Sequence, residues 1–239
     1  MIELLILNLS ARDTLDAGEI GELERVIKHE RLVPTGVDMV REGSRPKEST
    51  LLLEGIAGRY RVLEDGKRQI TALHVPGDFL DLHAFMLKTM DHGVIALSPC
   101  KVAAAEHKDL KQVTETCPHL TRMLWLSTVI DGAIHREWIV AMGRRSKKGH
   151  LAHLICELFT RLSVVGRVSD NSFHLPLSQA EVADTLGLSL VHLNKTLQKL
   201  RGDDVIRWVD RILTVLDWNE LKRIAEFDDS YLNLIHEPR

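Results

Sequence analysis

Residues 190–201 carry side chains that can contact nucleic acid, arranged on one side of a predicted helix. At 100° per residue, Leu193, Leu197 and Leu200 fall close together. The other side carries a small apolar group, cations, amides and an imidazole: Val191, His192, Asn194, Lys195, Gln198 and Lys199. Lysine can meet guanine or phosphate, amides match adenine, and valine fits the thymine methyl group. The spacing therefore predicts a helix that contacts base edges of duplex DNA. The alternative is the solvated face of an amphipathic helix in an unrelated bundle.

A shorter helix is predicted immediately before this one. Ser178 and Glu181 form an S-x-x-E capping box, Gly187 supplies a left-handed helix end, and Ser189 caps the next helix. Two short helices joined by a tight glycine-containing turn are typical of a helix-turn-helix. At the start of the first helix, Ser178 and Gln179 are expected to hold a phosphate through backbone amides.

The chain after the second helix alternates like a two-stranded hairpin. "VIRWV" and "ILTVLD" flank Asp210-Arg211, and a hairpin in this position is a wing. Cationic side chains near the predicted helix end and hairpin are expected to lie near the DNA backbone: Lys199, Arg201, Arg207 and Arg211.

The charge distribution agrees with an anionic partner for this part of the chain only. Residues 144–211 contain 11 Lys and Arg against 7 Asp and Glu, a net charge of +4, within a chain of net charge −3. The remaining residues therefore carry a net charge of −7.

No apolar run is long enough for a membrane helix, and the N-terminus lacks the basic start of a secretion signal. We expect a cytoplasmic protein with no membrane partner.

The elements that position this segment change character along the chain. A helix is predicted over residues 15–29. Residues 31–106 are short apolar runs separated by Gly, Pro and Asp, including a hairpin at Asp65-Gly66, which favours a β-barrel or β-roll. Residues 118–142 then predict one long helix, which the basic cluster "GRRSKKG" ends as a hinge. A further helix is predicted over residues 151–162.

The long helix carries an apolar stripe of near-heptad spacing. It comprises Leu120, Met123, Leu124, Ser127, Ile130, Ile134, Trp138 and Ala141. Such a stripe requires a partner surface, either the β-roll or the same helix of a second subunit. Trp125 and Trp138 are expected to be packing residues.

The segment "LPLSQAEVADTLGLSLVHLNKTLQKLRGDDVIRWVDRILTVLD" resembles the DNA-binding motif of the CRP/FNR superfamily, which takes its name from the cyclic-AMP receptor and the fumarate-nitrate-reduction regulator. "LLLEGIAGRYRVLEDGKRQITALHVPGDFLDLHAF" resembles the sensory roll of that superfamily. The resemblance implies an α+β chain with a cyclic-nucleotide-binding-like β-roll (1–117), a long dimerisation helix and hinge (118–145) and a winged helix-turn-helix (146–239). It also implies a homodimeric, sequence-specific transcription regulator with a near-palindromic operator, effector control and RNA polymerase as a partner.

Two departures from the superfamily pattern concern the effector. Asp81-Leu82-His83 stands where cyclic-nucleotide-binding members have G-E-L, and His92-Gly93 replaces their Arg-Ser pair. The acid for the ribose and the cation for the phosphate are both missing at these positions, so cyclic AMP is not expected to bind tightly. An altered effector pocket is predicted at Asp81, Leu82, His83 and His92. Iron–sulfur members have an N-terminal cysteine cluster, whereas the first cysteine here is Cys100, so neither a cluster nor any other cofactor is expected.

The resemblance also bears on the operator. Members of the superfamily often carry Glu and Arg where this chain has Val191 and Lys195. Glutamate accepts from cytosine, and lysine lacks the fork of arginine, so a different operator is expected.

One alternative class stays open at this point. His74, His83 and His92 are either metal or haem ligands or ordinary surface and core histidines, and no metal site is predicted from them. A small-molecule- or metal-binding, cupin-like β-roll without DNA binding is the runner-up, although the H-x-H motif of metal-binding cupins is absent. No nucleophile–base set, P-loop or dinucleotide fingerprint is present, so no enzyme activity is expected.

Overall fold

The computed structural model describes residues 1–239 and begins with two short helices. The apolar N-terminus forms α1 (Glu3–Ser10), which the sequence pattern does not predict. Helix α2 (Ala17–Val26) begins at a capping box between Asp16 and Glu19. The helix predicted over 15–29 therefore begins two residues too early and ends three residues too late, because Asp16 is the N-cap and Ile27 is already extended and starts strand β1 (Ile27–Val33).

Seven strands form the predicted roll. After β1 they are β2 (Asp38–Val40), β3 (Glu48–Glu54), β4 (Ala57–Val62), β5 (Arg68–His74), β6 (Gly93–Ala96) and β7 (Cys100–Glu106). They make two antiparallel sheets, ordered β1-β7-β3 and β2-β6-β4-β5. The predicted hairpin is β4–β5, and Gly66 in its turn has a φ of 82°, which favours glycine. Inward-facing residues such as Leu52, Val94 and Val102 are fully buried between the sheets.

Helices α3 (His107–Thr116) and α4 (Pro118–Arg144) follow the roll. The predicted stripe on α4 is buried against the chain's own core, from Leu120 to Ala141, except for the half-buried Ser127. Trp138 packs as predicted, and its Nε1–H donates to Glu157 at 3.0 Å. The partner of this stripe is therefore the same subunit. No helix of the chain is long and apolar enough to cross a membrane.

The opposite face of α4 is solvent-exposed and contains large apolar side chains. Trp125 is 68% exposed, so its predicted packing role is wrong within one subunit. Val129 and Ile139 are also exposed on this face. A helix that is apolar on two faces requires a second partner surface.

The predicted hinge is short. Helix α4 continues through Arg144, and Ser146 caps α5 (Lys147–Val164) by accepting from the Gly149 amide at 3.0 Å. The break between the two helices is thus confined to Arg145 and Ser146. The division into three domains at these positions stays a prediction.

The C-terminal part is a winged helix-turn-helix. Strand β8 (Ser172–His174) is followed by α6 (Gln179–Leu186) and α7 (Leu190–Gly202). Strands β9 (Ile206–Val209) and β10 (Ile212–Val215) form the predicted hairpin, and α8 (Trp218–Ala225) follows. Strand β8 joins the other edge of β10, so the sheet has three strands in the order β8-β10-β9.

The roll and the helix-turn-helix share one hydrophobic core. A single buried cluster includes Ile70 and Leu73 of β5, Trp138 of α4 and Leu186 and Leu193 of the helix-turn-helix. Polar contacts cross the same junction. Arg68 donates through Nε to the Asp184 carboxylate at 2.9 Å, and the Gln69 amide donates to the Thr185 carbonyl at 3.2 Å. Strand β5 therefore contacts α6 directly.

Candidate DNA interface and sensor groove

Helix α7 has the two faces that its sequence predicts. Leu193, Leu197 and Leu200 are buried in the shared core. The opposite side is exposed at Val191, His192, Lys195, Gln198 and Lys199, and Asn194 is half-buried at its edge. The side chains of Asn194, Lys195, Gln198 and Lys199 make no hydrogen bond or ion pair within the chain, so their polar groups are free to bind a partner.

The caps that orient α7 follow the predicted chemistry. The Ser178 hydroxyl accepts from the Glu181 amide at 3.2 Å, and the Glu181 carboxylate accepts from the Ser178 amide at 2.7 Å. Gly187 ends α6 with a φ of 62°. Ser189 caps α7 and also lies 3.0 Å from Nδ1 of His192. Ser178, Gln179 and Ser189 are all exposed, so the amides at both helix starts can be reached by a phosphate.

The hairpin turn lies beside the C-terminal end of α7. Asp210 and Arg211 have φ values of 50° and 66°, the left-handed pair that a two-residue type I′ turn requires. Arg207 and Arg211 are exposed. Arg201 differs from the other predicted backbone contacts, because its Nη2 donates to the Trp208 carbonyl at 2.7 Å and links α7 to β9.

A groove of about 970 Å³ lies between the roll and α4; we call it the sensor groove. Three of the four predicted pocket residues, Leu82, His83 and His92, line it. Nε2 of His83 lies 3.4 Å from Nε2 of His92, whose Nδ1 lies 2.7 Å from the Asp91 carboxylate. Burial lowers the pKa of His92, and it lowers that of His83 to about 4. Two neutral rings fit this contact if His92 donates from Nδ1 to Asp91 and accepts from His83 at Nε2.

The fourth predicted pocket residue, Asp81, does not line the sensor groove. Its side chain is fully buried and accepts from the Thr50 amide at 2.6 Å, while its second oxygen has no partner. Burial raises the pKa of Asp81 to about 7. This carboxyl group faces the protein interior, so the placement of Asp81 at the pocket was wrong. Although Asp81 stands only two residues before His83, its side chain turns towards the backbone of β3.

Sequence reasoning missed a hydrogen-bonded polar cluster among the residues that line the sensor groove: Arg59, Asp131 and His135. Nη1 of Arg59 donates to the Asp131 carboxylate at 2.9 Å and lies 3.2 Å from Nε2 of His135. Burial opposes ionisation of Asp131, but Arg59, His74 and His135 together outweigh it and lower the pKa of Asp131 to about 2. The groove therefore contains a permanent cation at a position other than the expected one, and a carboxylate already neutralises it.

Two local signals point to these residues. Arg59 stands at a buried position of β4, between Gly58 and the half-buried Tyr60. Asp131 and His135 are four residues apart, directly after the stripe residues Ile130 and Ile134. Polar residues that repeat at helical spacing directly beside an apolar stripe lie at the edge of the buried face of the helix, where they can line a partly buried site.

Two protein-family models match the chain. The Crp-like helix-turn-helix domain matches residues 149–224, and the cyclic nucleotide-binding domain matches residues 30–117. The chain belongs to the CRP/FNR superfamily of transcription regulators. In this superfamily the winged helix-turn-helix is the DNA-binding part. The match decides against the cupin-like alternative, in which the C-terminal helices would not bind DNA.

Curated CRP/FNR relatives match most of the chain. The transcriptional activator protein FnrL of Cereibacter sphaeroides is 27% identical, over a match that covers 80% of this chain and 77% of FnrL. The nitrogen fixation regulation protein FixK of Bradyrhizobium diazoefficiens is also 27% identical and covers 89% and 88%. The solved structure of FixK2 from Bradyrhizobium japonicum is 21% identical, has a TM-score of 0.75 and covers 82% of this chain and 96% of that chain. These matches extend over the roll, α4 and the helix-turn-helix, so the CRP/FNR architecture applies to the chain as a whole.

Proposed function

We propose that the chain acts as a homodimer that inserts one α7 helix per subunit into successive major grooves of a near-palindromic operator. The exposed, unpaired face of α7 carries this proposal. Its buried leucines fix the helix in the domain, while Val191, Lys195 and Gln198 point outwards without partners. This set can combine direct base contacts with phosphate contacts.

The exposed face of α4 supports the homodimer. Its residues follow alternating steps of four and three, as in a coiled coil: Trp125, Val129, Gly132, Arg136, Ile139 and Gly143. The two glycines permit close approach of a second helix. The buried stripe is already satisfied within the subunit, so this second stripe is the surface on which a twofold-related α4 would pack.

The two recognition helices should then lie about 34 Å apart, one turn of B-DNA. Ser178, Gln179 and Ser189 would hold phosphates at helix starts, and Lys199, Arg207 and Arg211 would add salt-dependent contacts. Arg201 would contribute mainly by fixing β9 against α7, because its guanidinium already donates to Trp208.

Effector control would act through α4. Asp131 and His135 line the sensor groove, and Trp125 belongs both to the groove and to the dimer stripe. A ligand that contacts these residues would change how the two α4 helices pack, and the break at Arg145–Ser146 would pass the change to the DNA-binding domains. Such control requires that the ligand bind one of the two arrangements of the α4 helices more tightly than the other. Two relatives named as activators support RNA polymerase as a partner.

Selection of bound sequences from a random DNA pool tests the proposed function. We expect an inverted repeat whose half-sites are centred about 10 base pairs apart. Recovery of sequences without twofold symmetry would contradict the dimeric arrangement, and the absence of any enrichment would contradict sequence-specific binding.

The substitution Ile139→Glu tests the dimer stripe directly. We expect light scattering to show a monomer and operator affinity to fall sharply, since a charge would be buried in the helix pair. Leu63→Glu is the matched control, because Leu63 is similarly exposed, at 61% against 65%, but lies at the β4–β5 turn. A dimeric Ile139→Glu variant would place the interface elsewhere.

A further inference from the structure

A second, smaller cavity lies where the N-terminal helix, the roll, α4, α5 and the C-terminal tail meet. It measures about 80 Å³, and we call it the junction cavity. Its polar lining includes Arg12, Arg59, His74, Asp78, Asp131 and Arg161. It shares five lining residues with the sensor groove and extends from them towards α1 and α5: Arg59, Leu82, His83, Thr128 and Asp131.

Arg12 is the residue of this cavity whose charge has no counterpart. Its side chain is only 7% exposed. Its guanidinium donates to the carbonyl and side-chain oxygens of Asn8 and to the Leu232 carbonyl, at 2.6, 2.7 and 2.9 Å. All three acceptors are neutral, and no carboxylate lies within ion-pair distance. Burial lowers the pKa of Arg12 to about 10, and the attraction of Asp78, which forms no ion pair with Arg12, offsets this only in part.

The two aspartates of the cavity cannot supply this counterion, because each already serves another arginine. Asp78 accepts from Arg161 at 2.6 Å, from the Val75 amide at 2.8 Å and from Asn8 at 3.2 Å. Asp131 is paired with Arg59 at 2.9 Å. Glu157 lies behind Arg161, at 3.1 Å from it, and is shared with Trp138 and Tyr231. None of these three carboxylates contacts Arg12.

Unpaired polar atoms are concentrated in the same cavity. Six buried side-chain nitrogen or oxygen atoms of the chain have no hydrogen-bond partner, and three belong to its lining residues: Arg12 Nε, Arg59 Nε and His74 Nε2. The first two are obligate donors, and His74 donates from Nε2 in one of its neutral tautomers. Arg12, Arg59 and His74 are each at least nine-tenths buried. Buried donors without acceptors are costly, so this arrangement calls for a ligand rich in acceptors.

We propose that the junction cavity binds one small oxyanion, of the phosphate, sulfate or carboxylate class, through Arg12, Arg59 and His74. The anion compensates the charge of Arg12 and accepts from the unpaired nitrogens. Because Arg12 also holds the Leu232 carbonyl and Arg161 belongs to α5, the bound anion stabilises the contact of the sensor part with the C-terminal tail and α5.

Thermal unfolding of the full-length protein tests this proposal, with sodium phosphate, sulfate or acetate titrated against chloride at constant pH and ionic strength. We expect a saturable rise in Tm with at least one oxyanion, of roughly 3–6 °C at ten times its Kd, and no rise with chloride. The separate titrations distinguish inorganic oxyanions from a carboxylate. No DNA is present, so the result is independent of the proposed regulatory function.

Arg12→Lys is the matched variant, because it keeps the charge and removes the Nε–H donor. We expect its oxyanion-dependent rise in Tm to be lost, while Arg223→Lys, at an exposed site on α8, responds like the parent. An equal response of Arg12→Lys and the parent, or of chloride and all oxyanions, would overturn the proposal. If Arg12→Lys does not fold, crystals of the parent grown with selenate and with acetate decide the matter: either anion in the cavity supports the site, and water alone there in both crystals refutes it.

Discussion

The Arg59 guanidinium and the Asp131 carboxylate join the roll to the long helix at 2.9 Å, across 72 residues of chain. The Arg59 side chain is 8% exposed and that of Asp131 is 29% exposed, so the pair lies at the edge of the core. A charge in such a place is tolerated only when it is paired. Both residues line the sensor groove and the junction cavity, and the ion pair fixes the side of α4 that faces the roll.

The substitution Asp131→Asn should destabilise the fold, because it leaves the Arg59 charge buried without a counterion. We expect the free energy of unfolding in urea to fall by about 2–4 kcal/mol, at the lower end of the range for broken buried pairs since Asp131 is partly solvated. The double variant Arg59→Met/Asp131→Leu should lose less than Asp131→Asn. A change below about 0.5 kcal/mol for Asp131→Asn would show that solvent already screens the pair.

Asp81 should make stability depend on pH. Burial raises its pKa in the folded protein to about 7, whereas the unfolded value is near 3.8, so folding takes up a proton between these values. The contribution of Asp81 to stability is therefore greatest below pH 4 and is lost as the pH rises through 7. Asp81→Asn should gain about 2–4 kcal/mol relative to the parent between pH 4 and pH 8 in chemical denaturation. Asp170→Asn, at an exposed turn, should track the parent at every pH.

His119 should give a second pH dependence. Its Nε2 lies 2.9 Å from the Asp13 carboxylate and its Nδ1 lies 2.7 Å from that of Glu19, so both nitrogens donate in the imidazolium form. The Asp13 hydrogen bond, with that of Glu19, raises the pKa of His119 above 6.5. The stabilisation is therefore complete below pH 6.5 and is lost as the pH rises through the raised value. His119→Gln should lower Tm by roughly 2–5 °C at pH 6 and by less at pH 9. An equal loss at both pH values would contradict the charged form, and exposed His174→Gln is the control.

The helix-turn-helix could be predicted in detail because its signals are local. A capping serine, the glutamate three residues later and the left-handed Gly187 lie within ten residues of one another. Each signal acts through its own backbone neighbours, so no knowledge of the tertiary structure was needed. The same holds for the β9–β10 hairpin, whose register follows from a two-residue turn.

The sensor groove could not be predicted to the same extent, because its residues meet only in the folded chain. Arg59 and Asp131 belong to a strand and a helix far apart in sequence. The positions that bind ligand in the family pattern predicted Asp81 instead, and Asp81 faces inwards.

Helix α1 was missed for a related reason. Its apolar residues Leu5 and Leu9 are buried against the roll, and this packing, not a capping signal, holds the helix.

Cyclic AMP should not bind tightly to this protein. The carboxylate at the position of the ribose-binding acid is absent, Asp81 faces the interior, and the Arg59 charge is already paired with Asp131. A phosphate in the sensor groove would therefore have to compete with Asp131 for Nη1 of Arg59 and with Glu42 for Arg61. Isothermal titration of the purified protein should show no binding in the micromolar range, and a micromolar or tighter Kd would contradict this reasoning.

Lys195 should contribute to base selection. It is exposed at the centre of the outward face of α7 and makes no hydrogen bond or ion pair within the chain, so its replacement should not disturb the fold. Lys195→Ala should weaken binding to the selected operator by about 1–3 kcal/mol and relax the preferred base at one position of each half-site. Fluorescence anisotropy on the operator and on random DNA measures both effects. Lys111→Ala, an equally charged change on α3, controls for net charge and should leave both affinities unchanged. An equal loss on operator and random DNA would make Lys195 a phosphate contact instead.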